Sequence, residues 1–139
     1  MPAEQGLVDT NVVVLRALID PAELPDEVAI SAVTLAELSA GPHLTDDPNE
    51  RARRVELLQR VEAEFDPIPF DADAARIFGR LSAAVLAMGR TPRRRIADLM
   101  IAASAAAQGL PLYTTNIDDF QGLAGIVEVV EVTRPSTPH

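Results

Sequence analysis

The chain has 139 residues, 47% of them hydrophobic and 24% charged, a length suited to one domain with a closed core. Its 21 acidic residues against 12 basic ones give a net charge of −9; every base is Arg, and Cys, Lys and Trp are absent. Those absences exclude a disulfide framework, thiolate nucleophiles, Cys-ligated zinc, a P-loop, Schiff-base chemistry, and haloacid-dehalogenase or response-regulator sites, which pair carboxylates with a lysine.

In chain order, Leu7-Val8 followed by Asp9-Thr10-Asn11 reads as a short strand ending in polar residues, and Val12 to Ile19 as a helix stopped by Asp20-Pro21. Val28-Ala29-Ile30 is a second short buried strand, and Ser31 to Ala40 a helix ended by Gly41-Pro42. After a polar loop over 43–48, Val55, Leu58 and Val61 recur at helical spacing between Asn49 and Glu64. The Pro-interrupted stretch 65–70 is expected to be a short edge strand. Asp71 caps a helix to about Met88, with Ile77, Phe78, Leu81, Val85 and Leu86 on its apolar side. A loop over 89–94 leads to an Ala-rich helix, Ile96 to Gln108, closed by Gly109. Leu112 to Thr114 and Ile126 to Val132 are the last strands, and Tyr113 is expected to pack at a strand end. Short apolar strands alternating with helices predict a layered α/β domain with a mainly parallel sheet over 1–132, followed by a disordered tail at 133–139.

The charge is unevenly placed. Residues 1–70 carry 14 acids and 5 Arg, whereas 71–139 carry 7 of each, and residues 74–97 hold six Arg and no acid. Arg76 and Arg80, four apart, suit a solvated helix face. Arg90, Arg93, Arg94 and Arg95 instead crowd the start of a helix, where the dipole disfavours positive charge. A lip that binds phosphates would account for them.

With His limited to positions 43 and 139, and no GxSxG or GxGxxG motif, carboxylates are left to carry chemistry. Ligands of such a sheet sit beyond the carboxyl ends of its strands. Asp9 stands at the first strand's end, either as an N-cap or as a site residue, and Thr10 and Asn11 can support either role. Glu37 follows the second strand, where Thr34-x-x-Glu37 also has capping-box spacing. Asp98 sits in an apolar run and needs a partner, for which Arg94 or Arg95 is available. The segment Thr114-Thr115-Asn116-Ile117-Asp118-Asp119-Phe120 follows a strand and suits an Asx turn or a further acidic ligand. Several converging carboxylates stay ionised together only around a cation, and all-oxygen donors select Mg²⁺ or Mn²⁺. The matching reaction is phosphodiester hydrolysis by a metal-activated water.

These segments, in this order and spacing, resemble the PIN-domain ribonucleases, specifically the small VapC-type toxins of bacterial toxin–antitoxin pairs. The resemblance runs from Val8-Asp9-Thr10-Asn11 through Ser31–Leu38 and Ile96–Ala103 to Gly109–Phe120 and Gly122-Leu123, nearly the whole chain. It implies a three-layer α/β/α fold, a cytoplasmic Mg²⁺- or Mn²⁺-dependent endoribonuclease, a homodimer, and neutralisation by a cognate antitoxin. Asp9, Glu37 and Asp98 match the family's acids. At the fourth position relatives differ, so Asp119 is taken as the acid, Asn116 as its helper and Asp118 as the outsider. On this reading Asp9 and Asp98 hold the metal, Glu37 and Asp119 complete the site, and Arg90, Arg93, Arg94 and Arg95 engage RNA. A catalytically silent scaffold whose acids are helix caps, and a small metal-dependent phosphatase, are the alternatives. No apolar run approaches the roughly 18 residues of a membrane span, and the amino end lacks signal-peptide character.

Overall fold

The computed structural model describes residues 4–136, the side chain of Arg94 excepted. Four strands, β1 (Gln5–Val8), β2 (Glu27–Ala29), β3 (Leu112–Thr114) and β4 (Val129–Glu131), form one sheet in the order β2-β1-β3-β4. All three ladders are parallel, with Leu7 opposite both Ala29 and Leu112, and Leu112 opposite Val129. Five α-helices connect and cover them: α1 (Thr10–Leu15), α2 (Ala32–Ala40), α3 (Pro48–Glu64), α4 (Ala72–Ala87) and α5 (Ile96–Ala107). The three-layer α/β/α arrangement expected from the sequence is present.

Alternation along the strands divides the core between the two sheet faces. Leu7 and Leu112 pack with Leu81 and Val85 of α4 and with Leu99, Ile101 and Ala102 of α5. Val8 and Tyr113 turn the other way, onto Val12 and Val13 of α1, Leu38 of α2 and Val61 of α3. The alanines of α5 have a purpose here: Ala102, Ala103 and Ala105 are fully buried, so the helix backbone lies close to its neighbours.

Several local expectations need correction. The helix expected over 12–19 is α1 plus a 3-10 turn at Arg16–Leu18, a common way for a helix end to tighten. β2 is only half-buried because it lies at the sheet edge. Val55 and Leu86, placed on apolar faces, are 37% and 61% exposed; α3 buries Val61 and half-buries Leu57 and Leu58 instead. The expected loops at 43–48 and 89–94 contain 3-10 turns at Gly41–Leu44 and Pro92–Arg95. Residues 65–70 make one bridge rather than a strand. Ile68 donates to the Ile30 carbonyl at 2.9 Å and accepts from the Ala32 N–H at 2.8 Å, while Pro67 and Pro69 have no N–H to extend the pairing. The last strand starts at Val129 because the Leu123 carbonyl first takes the Ile126 and Val127 N–H groups in a turn that buries Leu123 and Val127. Of the expected tail, 137–139 lie outside the described residues, and the Thr133 N–H donates to Glu23 Oε1 at 2.9 Å. No helix among the described residues is long and apolar enough to cross a membrane.

The fully buried Tyr113 fits on the sheet because Gly6 lies beneath its ring. A Cβ at Gly6 would stand 2.5 Å from Tyr113 Cε1 and 3.1 Å from Pro25 Cγ. Gly6→Ala is therefore expected to cost about 1–3 kcal/mol through overpacking, seen as a lower urea midpoint at unchanged slope. An unchanged midpoint would mean that the ring moves aside freely.

Candidate functional site

Because the strands are parallel, β1 and β3 end on the same edge of the sheet, and their following residues emerge side by side. Asp9, the first residue after β1, is buried and uses both carboxylate oxygens. Oδ1 caps α1 by accepting the Val12 N–H at 3.0 Å, and Oδ2 accepts the Thr114 hydroxyl at 2.5 Å. The cap of α1 and the candidate site residue are thus one side chain. Thr114 Oγ1 in turn accepts the Asn116 N–H at 3.0 Å, so the end of β3 positions Asp9. Burial raises the Asp9 carboxyl above its ordinary value; the Thr114 and backbone hydrogen bonds offset part of that, and the Glu37 charge adds to it.

Glu37 lies on α2, and its Oε1 accepts the Thr10 hydroxyl at 2.6 Å. Thr10 Oγ1 also lies 3.0 Å from Thr34 Oγ1. Since Thr10 spends its one proton on Glu37, Thr34 is the donor in that second contact. The capping box that the Thr34–Glu37 spacing left open is therefore not formed. Ser31 caps α2 by accepting the Val33 N–H at 3.0 Å, leaving the fully buried Thr34 to serve the site.

Asp98 sits half-buried in the first turn of α5, where the helix dipole favours an acid. Its carboxyl is pushed up to about 6, first by burial and then by the charges of Asp9, Glu37 and Asp119, while Arg95 pulls it down. Asp119 is half-buried on a 3-10 turn over Ile117–Phe120, with its N–H on the Asn116 carbonyl at 3.0 Å. Asp9, Glu37, Asp98 and Asp119 therefore come together in one electrostatic unit. Asp118 does not join it, being exposed and bonded to Gln121 Nε2 at 3.4 Å. Asn116 contributes backbone contacts, and Asn11 is exposed in the first turn of α1.

The arginines separate. Arg90 and Arg93 are exposed, whereas Arg95 pairs with Asp119, not Asp98, at 3.3 Å. Three hydroxyls, on Thr10, Thr34 and Thr114, orient the acids; sequence reasoning weighed only Thr10 as support. The signal for the others was a Thr beside each acid-bearing segment. A cleft of about 710 Å³ between α2 and α3 also went unpredicted. It opens on Thr10 and Glu37 and is lined by Val14, Leu38, Arg53 and Arg60.

Residues 7–126 match the family described as the PIN domain. The chain belongs to the PIN-domain family. It is 41% identical to "Ribonuclease VapC5" of Mycobacterium tuberculosis, over 91% of this chain and 95% of that protein. It is 28% identical to "Ribonuclease VapC1" of Rickettsia felis, over 75% of each. Among solved structures, that of "a member of the VapBC family of toxin-antitoxin systems, VapBC-5" from M. tuberculosis superposes with a TM-score of 0.81 at 41% identity, covering 93% of this chain and 99% of that one.

Among the described residues, no group of three His, Asp or Glu side chains is already gathered to hold a metal ion. The electrostatics of this PIN domain still fit one. Mg²⁺ keeps several waters and needs only one or two direct carboxylates, and Asp98 carries the accumulated repulsion of three other acids. Burial and that repulsion together set a pH dependence. With its carboxyl near 6 when folded and 3.8 ordinarily, Asp98 contributes stability below about pH 4 that is lost as pH rises through 6. In metal-free protein, Asp98→Asn should raise the Tm by a few degrees near neutral pH, with the gain vanishing in acid. A gain equal at all pH values would refute this origin.

Proposed function

We propose that this PIN domain is an endoribonuclease dependent on Mg²⁺ or Mn²⁺, and the toxin half of a toxin–antitoxin pair. The observation that carries the reading is the placement of Asp9, Glu37, Asp98 and Asp119 at one end of the sheet, where burial first and then the charges of the other three raise the Asp98 carboxyl to about 6. The names of the relatives, "Ribonuclease VapC5" and "Ribonuclease VapC1", supply the substrate class.

Asp9 and Asp98 would hold the cation, with Glu37 and Asp119 completing the site and Asn116 supporting it. A divalent cation there supplies positive charge at the scissile phosphate and makes an attacking water more acidic. The protein's own part is orientation. Thr114 and the Val12 N–H fix the orientation of the Asp9 carboxylate, and the Thr34–Thr10 relay aims Glu37, so water can be ordered beside the phosphate. Arg90 and Arg93, exposed at the approach to α5, together with Arg94, engage RNA phosphates. The homodimer expected from the resemblance has apolar surface to draw on, since Leu86, Met88 and Ile96 are 61%, 40% and 46% exposed. Action on cellular RNA places the protein in the cytoplasm.

Purified protein should cleave a structured RNA only when Mg²⁺ or Mn²⁺ is supplied. Asp9→Ala and Asp98→Asn should each lower the rate at least about 100-fold, roughly the effect of losing a main electrostatic contact in a transition state. Cleavage in EDTA, or full activity of Asp98→Asn, would overturn the assignment, whereas no cleavage with either metal would favour the scaffold reading.

The antitoxin should silence the site by presenting an Arg or Lys to Asp9, Glu37 or Asp98, because a cationic side chain relieves the same repulsion as the metal. Calorimetric titration of the purified toxin–antitoxin complex with Mn²⁺ should then give no binding heat. A complex that binds Mn²⁺ as tightly as the free toxin would exclude this mode of inhibition.

A further inference from the structure

Arg95 holds a position unlike that of its exposed neighbours Arg90 and Arg93. Its side chain is only 27% exposed, and it reaches across to the turn that carries Asp119. There the guanidinium straddles one residue: Nη1 donates to the Asp119 main-chain carbonyl at 2.7 Å, and Nη2 lies 3.3 Å from Asp119 Oδ1. The location is electrostatically adverse in isolation, because Arg95 is the residue capping the positive end of α5. It becomes favourable because Asp119 pairs with it and Asp98 lies within reach of its charge. The charge also acts beyond its direct partner, opposing the repulsion that Asp9, Glu37 and Asp119 impose on Asp98.

The two contacts differ in kind. The bond to the main-chain carbonyl does not depend on the charge of Asp119. The contact with Oδ1 is ionic, and any cation drawn to that carboxylate must compete with it. We propose that Arg95 is the built-in counter-ion of the acid cluster: it neutralises Asp119 in the metal-free protein and competes with a divalent cation for that carboxylate. Its carbonyl bond keeps the guanidinium near the site when the carboxylate is surrendered. The inference rests on the reading of Asp119 as a metal-site residue, and it makes Arg95 a positioning residue whose occupancy of Asp119 depends on metal. A plain structural ion pair would be indifferent to metal.

Calorimetry with Mn²⁺ alone on the full chain tests this, alongside thermal unfolding with and without Mn²⁺. Removing one unit of positive charge a few Å from the site should tighten Mn²⁺ binding about five- to tenfold in Arg95→Gln. Arg95→Lys, which keeps the charge, should stay within about twofold of the wild type on the same electrostatic argument. Without metal Arg95→Gln should unfold below the wild type, and saturating Mn²⁺ should close that gap. Equal or weaker Mn²⁺ binding by a folded Arg95→Gln overturns the counter-ion role while leaving the metal site intact. Absence of Mn²⁺ binding by both wild type and Arg95→Gln overturns the metal site and the counter-ion role together. Side-chain ¹⁵N NMR of the wild type provides a test that needs no variant. On Mg²⁺ saturation the Arg95 Nε signal should shift and gain mobility while that of Arg54, bonded to Glu50 and the Gly41 carbonyl, stays put. An unmoved Arg95 signal in Mg²⁺-saturated protein overturns the proposal.

Discussion

Carboxylates repel, and a parallel sheet brings them together whether or not they can tolerate it. Side-by-side strand ends place Asp9 next to Thr114, helices α2 and α5 deliver Glu37 and Asp98 to the same edge, and the turn after β3 adds Asp119. Much of the local polar structure answers that repulsion. The Val12 N–H and the Thr114 hydroxyl bind Asp9, the Thr34–Thr10 relay binds Glu37, and Arg95 binds Asp119. Of the four, Asp98 is left with neither a hydrogen bond nor an ion pair to its carboxylate among the described side chains, and burial together with the charges of the other three raises its carboxyl.

The composition now makes sense as a set. A site built from oxygens needs no Cys, His or Lys, and a chain without Lys leaves Arg to supply every compensating charge. Arg suits the task because its planar fork can hold a carbonyl and a carboxylate of the same residue at once, as Arg95 does with Asp119. A net charge of −9 is compatible with a polyanionic substrate because its sign is divided along the chain, with the exposed arginines ahead of α5 and most of the acids before residue 71. Holding a destabilised acid at neutral pH is the familiar exchange of stability for reactivity.

What could be read from the residues was whatever is local. The strand endings before Asp9 and Ser31, the Asp71 cap and the Gly109 stop are encoded within a few positions, and they recur in the fold. The acids were legible for the same reason, each sitting where an apolar strand or helix start makes a charge conspicuous. The hydroxyl partners were not, because their bonds join residues 24 and 105 positions apart, and no periodicity reports such distances. For Thr34 the spacing to Glu37 left a capping box open beside a site role, and tertiary packing decided against the box. The exposure of Val55 and Leu86 has a similar origin: a helical stripe marks one side of a cylinder, while its neighbours decide how wide a strip they cover.

The single bridge between Ser31 and Ile68 has a further effect at the rim of the sheet. Prolines at 67 and 69 stop a ribbon from growing there, so beyond β2 the chain offers almost no free ladder of donors to an incoming strand. At the opposite rim β4 is only three residues long. On the toxin–antitoxin reading proposed above, such blunted margins favour association with one partner over self-association. Polymerisation by sheet extension is discouraged at both ends, and association is diverted to the side chains of the helices.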